Sequence, residues 1–383
     1  MPTANQRLLD ELLAHELGLR RVHNRTRREV LAYINEIVPD LEALLRKRFG
    51  FISARGFDSS KYTLKRLEAN LREVRKLLDE AIQRAHAQIR DDSVSAAKYE
   101  AEWTAGKIAK EVVIRLDVQT VAPSLMRALV TSRPFQGALL RDHMSKLSRD
   151  SYDKVQKAIR EGLFRGEGID KIVRRVRGTK AMGFADGAMQ ATRREAQKIV
   201  YTAAQHVTSE ARAAVYQANA DILEGIRWTA TLDLHTCEIC GPRDGKLWTL
   251  DHEPIDHDLE WLDGPGKAHW NCRCVGAPVL KAWGKQRGGK NATPTQRASM
   301  DGAVPGKLTF EDWIARQPAA RQDQWFGRTR GQAYRKGKIG WSDLFDDRGS
   351  WQTLDKLKSQ ESEGPVPISA TESGAVVRYA RGG

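Results

Sequence analysis

The 383-residue sequence predicts a mainly α fold, with helical N-terminal and central domains, a small α+β element near residues 225–280 and a helical C-terminal patch. Three observations predict it. Apolar residues recur at helical spacing over most of the first 220 positions. At Gly225 the pattern changes to tryptophans, threonines and glycines alternating with polar residues, the signature of short strands and turns. All four cysteines fall between positions 237 and 274, inside that changed region.

The first 130 residues predict long helices. Val30, Ile34, Ile37, Leu41 and Leu44 step by four and three, and Leu64, Leu67, Leu71, Val74, Leu78 and Ile82 do the same. Gly50 and Gly56 interrupt the two stripes, so a helical hairpin, stalk or bundle is expected over 1–130. Basic residues crowd this stretch (Arg20, Arg21, Arg25, Arg27, Arg28, then Arg46, Lys47 and Arg48), either as a solvated face or as a contact for phosphates or an acidic protein surface. A central domain is expected over 131–282. Val155, Ile159 and Leu163 mark one amphipathic helix, broken by Gly162, Gly166 and Gly168. Ile169, Ile172, Val173 and Val176 mark the next, ending at Gly178. A long Ala-rich helix then runs from about Asp186 to Asn219, Ala being the strongest helix former. Residues 283–306 lack periodicity and predict a linker, 307–358 a basic helical patch, and the Ser-, Glu-, Gly- and Pro-rich 359–383 a disordered tail.

Composition narrows the class. Hydrophobic residues make up 40% of the chain and charged residues 29%, which suits buried cores in a soluble protein. No apolar run reaches the roughly 18 residues of a membrane-spanning helix, and Met1–Asp10 lacks the order of a signal peptide, so no membrane partner is expected. The net charge of +14 favours a polyanion such as DNA through counterion release, although 49 acidic residues are interspersed.

The cysteine cluster is the strongest local signal. Cys237-Glu238-Ile239-Cys240 is followed by His269-Trp270-Asn271-Cys272-Arg273-Cys274. Two cysteines two residues apart chelate one ion across a tight turn, and a second hairpin supplies the remaining ligands of a tetrahedral shell. The element therefore reads as a zinc knuckle, with Zn2+ in a structural role. Five residues compete for about four places: Cys237, Cys240, His269, Cys272 and Cys274, with Cys237 and His269 as rivals for the last. A buried cysteine pair without metal, or a late disulfide, are the alternatives. A closed shell argues against catalysis, which needs an open coordination position.

From about Pro134 to Leu280 the chain resembles the phage Mu F-like head-morphogenesis family, also described as minor head or minor capsid proteins. The resemblance is carried by Ile159–Ile169 with its three glycines, the Ala-rich helix, Ile226–Asp233 leading into His235–Cys240, Asp244-Gly245-Lys246, and His269–Cys274. The last resembles the family's H-P-N-C-R-C signature, with Trp270 in place of proline. Where relatives often carry Arg-Thr-Glu in the long helix, this chain has Ile199–Ala203 and no acidic residue. The position of Cys237 is often not cysteine in relatives, which favours His269 as a ligand. The resemblance implies a low-copy protein inside the phage head, made in the host cytoplasm. It implies the portal and other head proteins as partners, phage DNA as a further one, and roles in assembly, packaging and ejection without enzymatic activity.

Two other readings compete. A zinc-stapled nuclease would use Asp251-His252 and His257, but it needs a later histidine and none follows His269. A DNA-binding module would use the basic helices and the C-terminal alternation of aromatics with Arg and Lys, from Phe310 to Ile339.

Overall fold

The structure is a computed structural model that describes residues 3–49, 64–112, 118–281, 296–357, 366–367 and 379–380. Two long helices lead the chain, α1 (Ala4–Phe49) and α2 (Leu64–Glu111), followed by α3 (Pro123–Ser132), α4 (Leu140–Phe164), α5 (Ile169–Arg177) and α6 (Ala188–Ala218). The expected stripes are their buried faces. Val30, Ile34, Ile37 and Leu41 of α1 meet Leu71, Val74, Leu78 and Ile82 of α2. The stripe in α1 continues through Leu45 rather than Leu44, which is only partly buried. The expected break at Gly50–Phe57 lies outside the described residues.

The same core takes in Val155, Ile159 and Leu163 of α4, Ile172, Val173 and Val176 of α5, and Ile199, Val200 and Ala203 of α6. It is continuous across the boundary expected near residue 130. A second core, built on the small residues Ala97, Ala101 and Ala105 of α2 and Ala211 of α6, lets those helices approach closely and joins them to α3.

After α6 the chain forms a four-stranded antiparallel sheet in the order β3-β2-β1-β4, from β1 (Leu223–Thr229), β2 (Leu247–Trp248), β3 (Pro254–Ile255) and β4 (Val275–Leu280). Gly225 is required where the composition changes. A Cβ there would stand 2.1 Å from the Trp248 carbonyl oxygen of the paired strand. Leu223, Ile226 and Leu280 turn one side of the sheet into the second helical core. Val275 and Ala277 pack on Leu9 and Leu12 of α1. The two long strands are thereby fixed against helices at both ends of the chain's α-helical half.

The segment expected as a linker differs in part. Residues 283–295 lie outside the described residues, but β5 (Gln296–Ser299) and β6 (Gly302–Pro305) form a hairpin. Its polar, Gly-containing sequence has no apolar stripe because the hairpin is held by buried Arg297 rather than by apolar packing. Next come α7 (Phe310–Ala315), α8 (Ala319–Phe326) and α9 (Arg328–Arg335). Thr309 caps α7, accepting from the Asp312 N–H, while the Asp312 carboxylate accepts from the Thr309 backbone. Their aromatics form a separate small core around Phe310, Trp313 and Phe326, with Trp325 stacked on Trp341 at 5.7 Å. In the tail expected to be disordered, β7 (Val366–Pro367) pairs with β8 (Tyr379–Ala380), and the rest lies outside the described residues.

Candidate metal centre

Two turns bring the candidate ligands together. In the first, the N–H groups of Cys240 and Gly241 both donate to the Cys237 carbonyl, at 3.1 and 2.9 Å, which folds Cys237 and Cys240 over one point. In the second, the Cys272 N–H donates to the His269 carbonyl, and Asn271 takes a left-handed conformation (φ 58°) that Asn tolerates better than most residues. Helix α6 anchors this turn. The Thr202 hydroxyl accepts from the Asn271 N–H at 3.1 Å, and the Gln205 amide donates to the Cys274 carbonyl. Thr202 belongs to the stretch that lacks an acidic residue, so in this chain a hydroxyl supports the knuckle from the long helix.

The sulfur and nitrogen atoms then converge. His269 Nε2 lies 3.2 Å from Cys237 Sγ and 3.1 Å from Cys240 Sγ, and Cys240 Sγ lies 3.9 Å from Cys272 Sγ. A tetrahedral zinc with ordinary bond lengths sets two sulfurs about 3.8 Å apart, and sulfur and imidazole nitrogen about 3.6 Å apart. The observed spacings lie within about half an ångström of those values. A disulfide needs sulfurs at about 2.05 Å, and all four cysteines are free thiols. The donors fall into two sets that share Cys240: Cys237, Cys240 and His269, and Cys240, Cys272 and Cys274. All five predicted residues are therefore brought together, and the cluster could hold a metal ion. Its second ring nitrogen fixes how His269 is used: Nδ1 sits 2.8 Å from the Trp270 carbonyl oxygen, so Nδ1–H donates there and leaves Nε2 to face the sulfurs.

The electrostatics suit the same role. A hydrogen bond from Cys240 brings the Cys237 thiol down to about 4 against its burial, helped by His269. Contacts with Cys240 and Cys274 hold Cys272 well below the usual thiol range. Burial disfavours charge on His269, but the Cys237 and Cys272 sulfurs raise its pKa to about 11. Cys240 and Cys274 stay protonated, the first mainly through its contacts with Cys237 and Cys272 and the second mainly through burial. Without metal, an imidazolium thus sits between thiolates. A divalent cation would take over that positive charge and release protons.

The surroundings seal the cluster. Cys240, Cys272 and Cys274 are buried with Trp228 and Trp248, and Trp261 packs beside them. Arg273 donates to both carboxylate oxygens of Asp233, at 2.5 and 2.6 Å, tying the two turns together.

Residues 153–277 match the family model described as Phage Mu protein F like protein. That segment is similar to the Phage Mu F-like family. It runs from within α4 to the middle of β4 and contains all five candidate ligands. No curated protein and no solved structure matches the chain. Among the described residues no helix is long and apolar enough to cross a membrane.

Other predicted residues lie apart from the cluster in the Mu F-like segment. His252 is stacked on Trp261 at 4.6 Å and His257 Nε2 pairs with the Leu247 carbonyl, so both serve the loop between β2 and the second turn. The basic run of α1 is divided: Arg46 and Arg48 form ion pairs with Asp170 and Glu73, while Arg21, Arg27 and Arg28 are exposed. The C-terminal aromatics Phe310, Trp313 and Phe326 are buried, so their rings build a core with a basic rim and present no stacking platform. Sequence reasoning missed Asp244 and Arg297 as a buried pair at 3.0 Å. Asp244 lies in the Asp244-Gly245-Lys246 motif, which carries no sign of its partner, and Arg297 sits in the aperiodic segment.

Proposed function

We propose that the protein is a bacteriophage minor head (minor capsid) protein that acts in head morphogenesis within the virion. In this reading it contacts the portal and other head proteins, meets phage DNA during packaging or ejection, and carries one structural zinc ion in its knuckle. The observation that carries the reading is the family match over 153–277, whose limits enclose the converged Cys/His cluster. The zinc would be held by Cys240 and Cys272 with two of Cys237, His269 and Cys274, and would supply a covalent-like staple to a sheet of four short strands. Burial of Cys240, Cys272 and Cys274 supports a structural and non-enzymatic role, since a catalytic metal keeps a position open to substrate. Exposed arginines on α1 and the overall charge of +14 support the nucleic-acid contact.

Mass spectrometry of protease-treated virions and procapsids from a phage carrying the gene tests the reading, with copies counted against the portal. A few protected copies per particle are expected. Absence from both particles would overturn it.

A further inference from the structure

We propose that a cavity of about 350 Å³, between the first turn of α1, strand β1 and the segment entering α7, binds a phosphate-type oxyanion. Its lining includes Gln6 of α1, Arg227 and Thr229 of β1, and Lys307. The site is separate from the Cys/His cluster and shares no residue with it.

Five observations converge on an anion. Arg227 and Thr229 are two positions apart on one strand, so they project to the same face of the sheet. The Arg227 and Lys307 side chains have no hydrogen-bond or ion-pair partner among the described residues, which leaves two positive charges facing one cavity uncompensated. The acid in the lining, Asp244, is already committed to Arg297 and to the N–H groups of Ala230 and Phe310. Thr229 is 3% exposed and its hydroxyl has no hydrogen-bond partner, a costly state for a buried hydroxyl unless a ligand or water satisfies it. Finally, the cavity lies at the N-terminal end of a 46-residue helix whose first turn is capped by the neutral Thr3 hydroxyl, which accepts from the Gln6 N–H, and holds no acidic residue, so no negative charge from that turn offsets the positive end of the helix dipole.

Two unpaired cations, a helix N-terminus and a buried hydroxyl are the donor set of an oxyanion site: charge from Arg and Lys, direction from the hydroxyl. A carboxylate would use fewer of these donors than the tetrahedral phosphate group does. The phosphate could come from a free ion or from a nucleic-acid backbone presented at the mouth, and the chemistry at the site is the same for both.

The test is a titration of inorganic phosphate with the full-length protein, followed by phosphorus NMR line broadening. The variants are Arg227→Gln, Lys307→Gln and Thr229→Val, with Arg316→Gln as a control at an exposed cation elsewhere. Phosphate is expected to bind the parent protein. Arg227→Gln or Lys307→Gln should weaken it at least about tenfold, as loss of a charge-assisted contact does, Thr229→Val severalfold, and Arg316→Gln not at all. Lys307 is exposed, so its variant keeps the fold and guards against misreading an unfolded Arg227 or Thr229 variant. A short DNA duplex that displaces phosphate from the parent protein identifies a backbone phosphodiester as the source, whereas no displacement identifies the free ion. No broadening by the parent protein overturns the proposal. So does an affinity unchanged in the three variants or lowered equally in the control.

Discussion

Single buried polar residues carry much of this molecule's organisation. Asp244 accepts from the backbone N–H groups of Ala230 and Phe310, both at 2.7 Å, and from both terminal nitrogens of Arg297 at 3.0 and 3.1 Å. One carboxylate thereby joins the end of β1, the β5–β6 hairpin and the start of α7. Asp244→Ala is expected to cost about 3 kcal/mol, because Arg297 is left buried without its counter-ion. Urea unfolding gives the size of the loss, and limited proteolysis should show new cleavage confined to residues 296–357. His206 gives a pH dependence. It is 6% exposed, its Nε2 has no partner, and burial lowers its pKa to about 4, with Lys267 and Arg133 reinforcing and Glu210 opposing the shift. The unfolded chain takes up this proton near pH 6.5 and the folded chain near 4, so the stability is complete above pH 6.5 and is lost as pH falls from there to about 4. Between pH 7.5 and 5 the His206 share is about 2 kcal/mol. His206→Phe should flatten the measured change in unfolding free energy by that amount; an unaltered pH profile would rule His206 out as its source.

At the scale of elements, a buried ionic knot couples the N-terminal helices to the Mu F-like segment. Arg212 of α6 donates to Glu16 of α1 and Glu100 of α2, and His15 approaches Glu100 at 2.7 Å while stacking on Trp103. All three charged partners are at most 3% exposed at the side chain. Arg212→Met leaves two carboxylates buried beside each other and should destabilise the protein by about 3–5 kcal/mol in urea unfolding. Arg212→Met within Glu16→Gln/Glu100→Gln should recover much of that loss. The knot also shows where sequence reading stops. The apolar stripes of α1, α2, α4 and α5 were legible because burial of large aliphatic side chains leaves a period. Glu16, Glu100 and Arg212 carry no such period and look like ordinary surface charges until the helices are docked. The hairpin at 296–305 was missed for a related reason: its anchor is a guanidinium that reaches carbonyls and Asp244, and nothing in its local sequence alternates. The metal-type ligands were legible because their chemistry is in their spacing, although Thr202 and Gln205, which hold the second turn from α6, gave no signal.

For the whole molecule, the helical half and the small sheet share cores, so the knuckle is embedded rather than appended. Val275 and Ala277, next to the last cysteine, pack on Leu9 and Leu12 near the start of the chain. A staple at the Cys/His cluster therefore fixes the sheet on which α1 rests and the first turn, where the Trp325 indole N–H donates to the Thr236 carbonyl. It also fixes β1, whose Arg227 and Thr229 line the proposed phosphate cavity. Removing the staple should loosen residues 225–280 first, while α1, α2, α4 and α6 keep their helicity through the larger core.

The most direct test of the central claim is the metal content of the full-length protein purified without added metal, measured by inductively coupled plasma mass spectrometry beside a thiol titration. The account predicts one zinc per chain, thiols unreactive until a chelator or denaturant is added, and loss of zinc in the Cys272→Ser/Cys274→Ser variant, with proteolytic cleavage opening between 225 and 280. A metal-free protein that is folded, with four reactive thiols and the proteolysis pattern of the double variant, would contradict it.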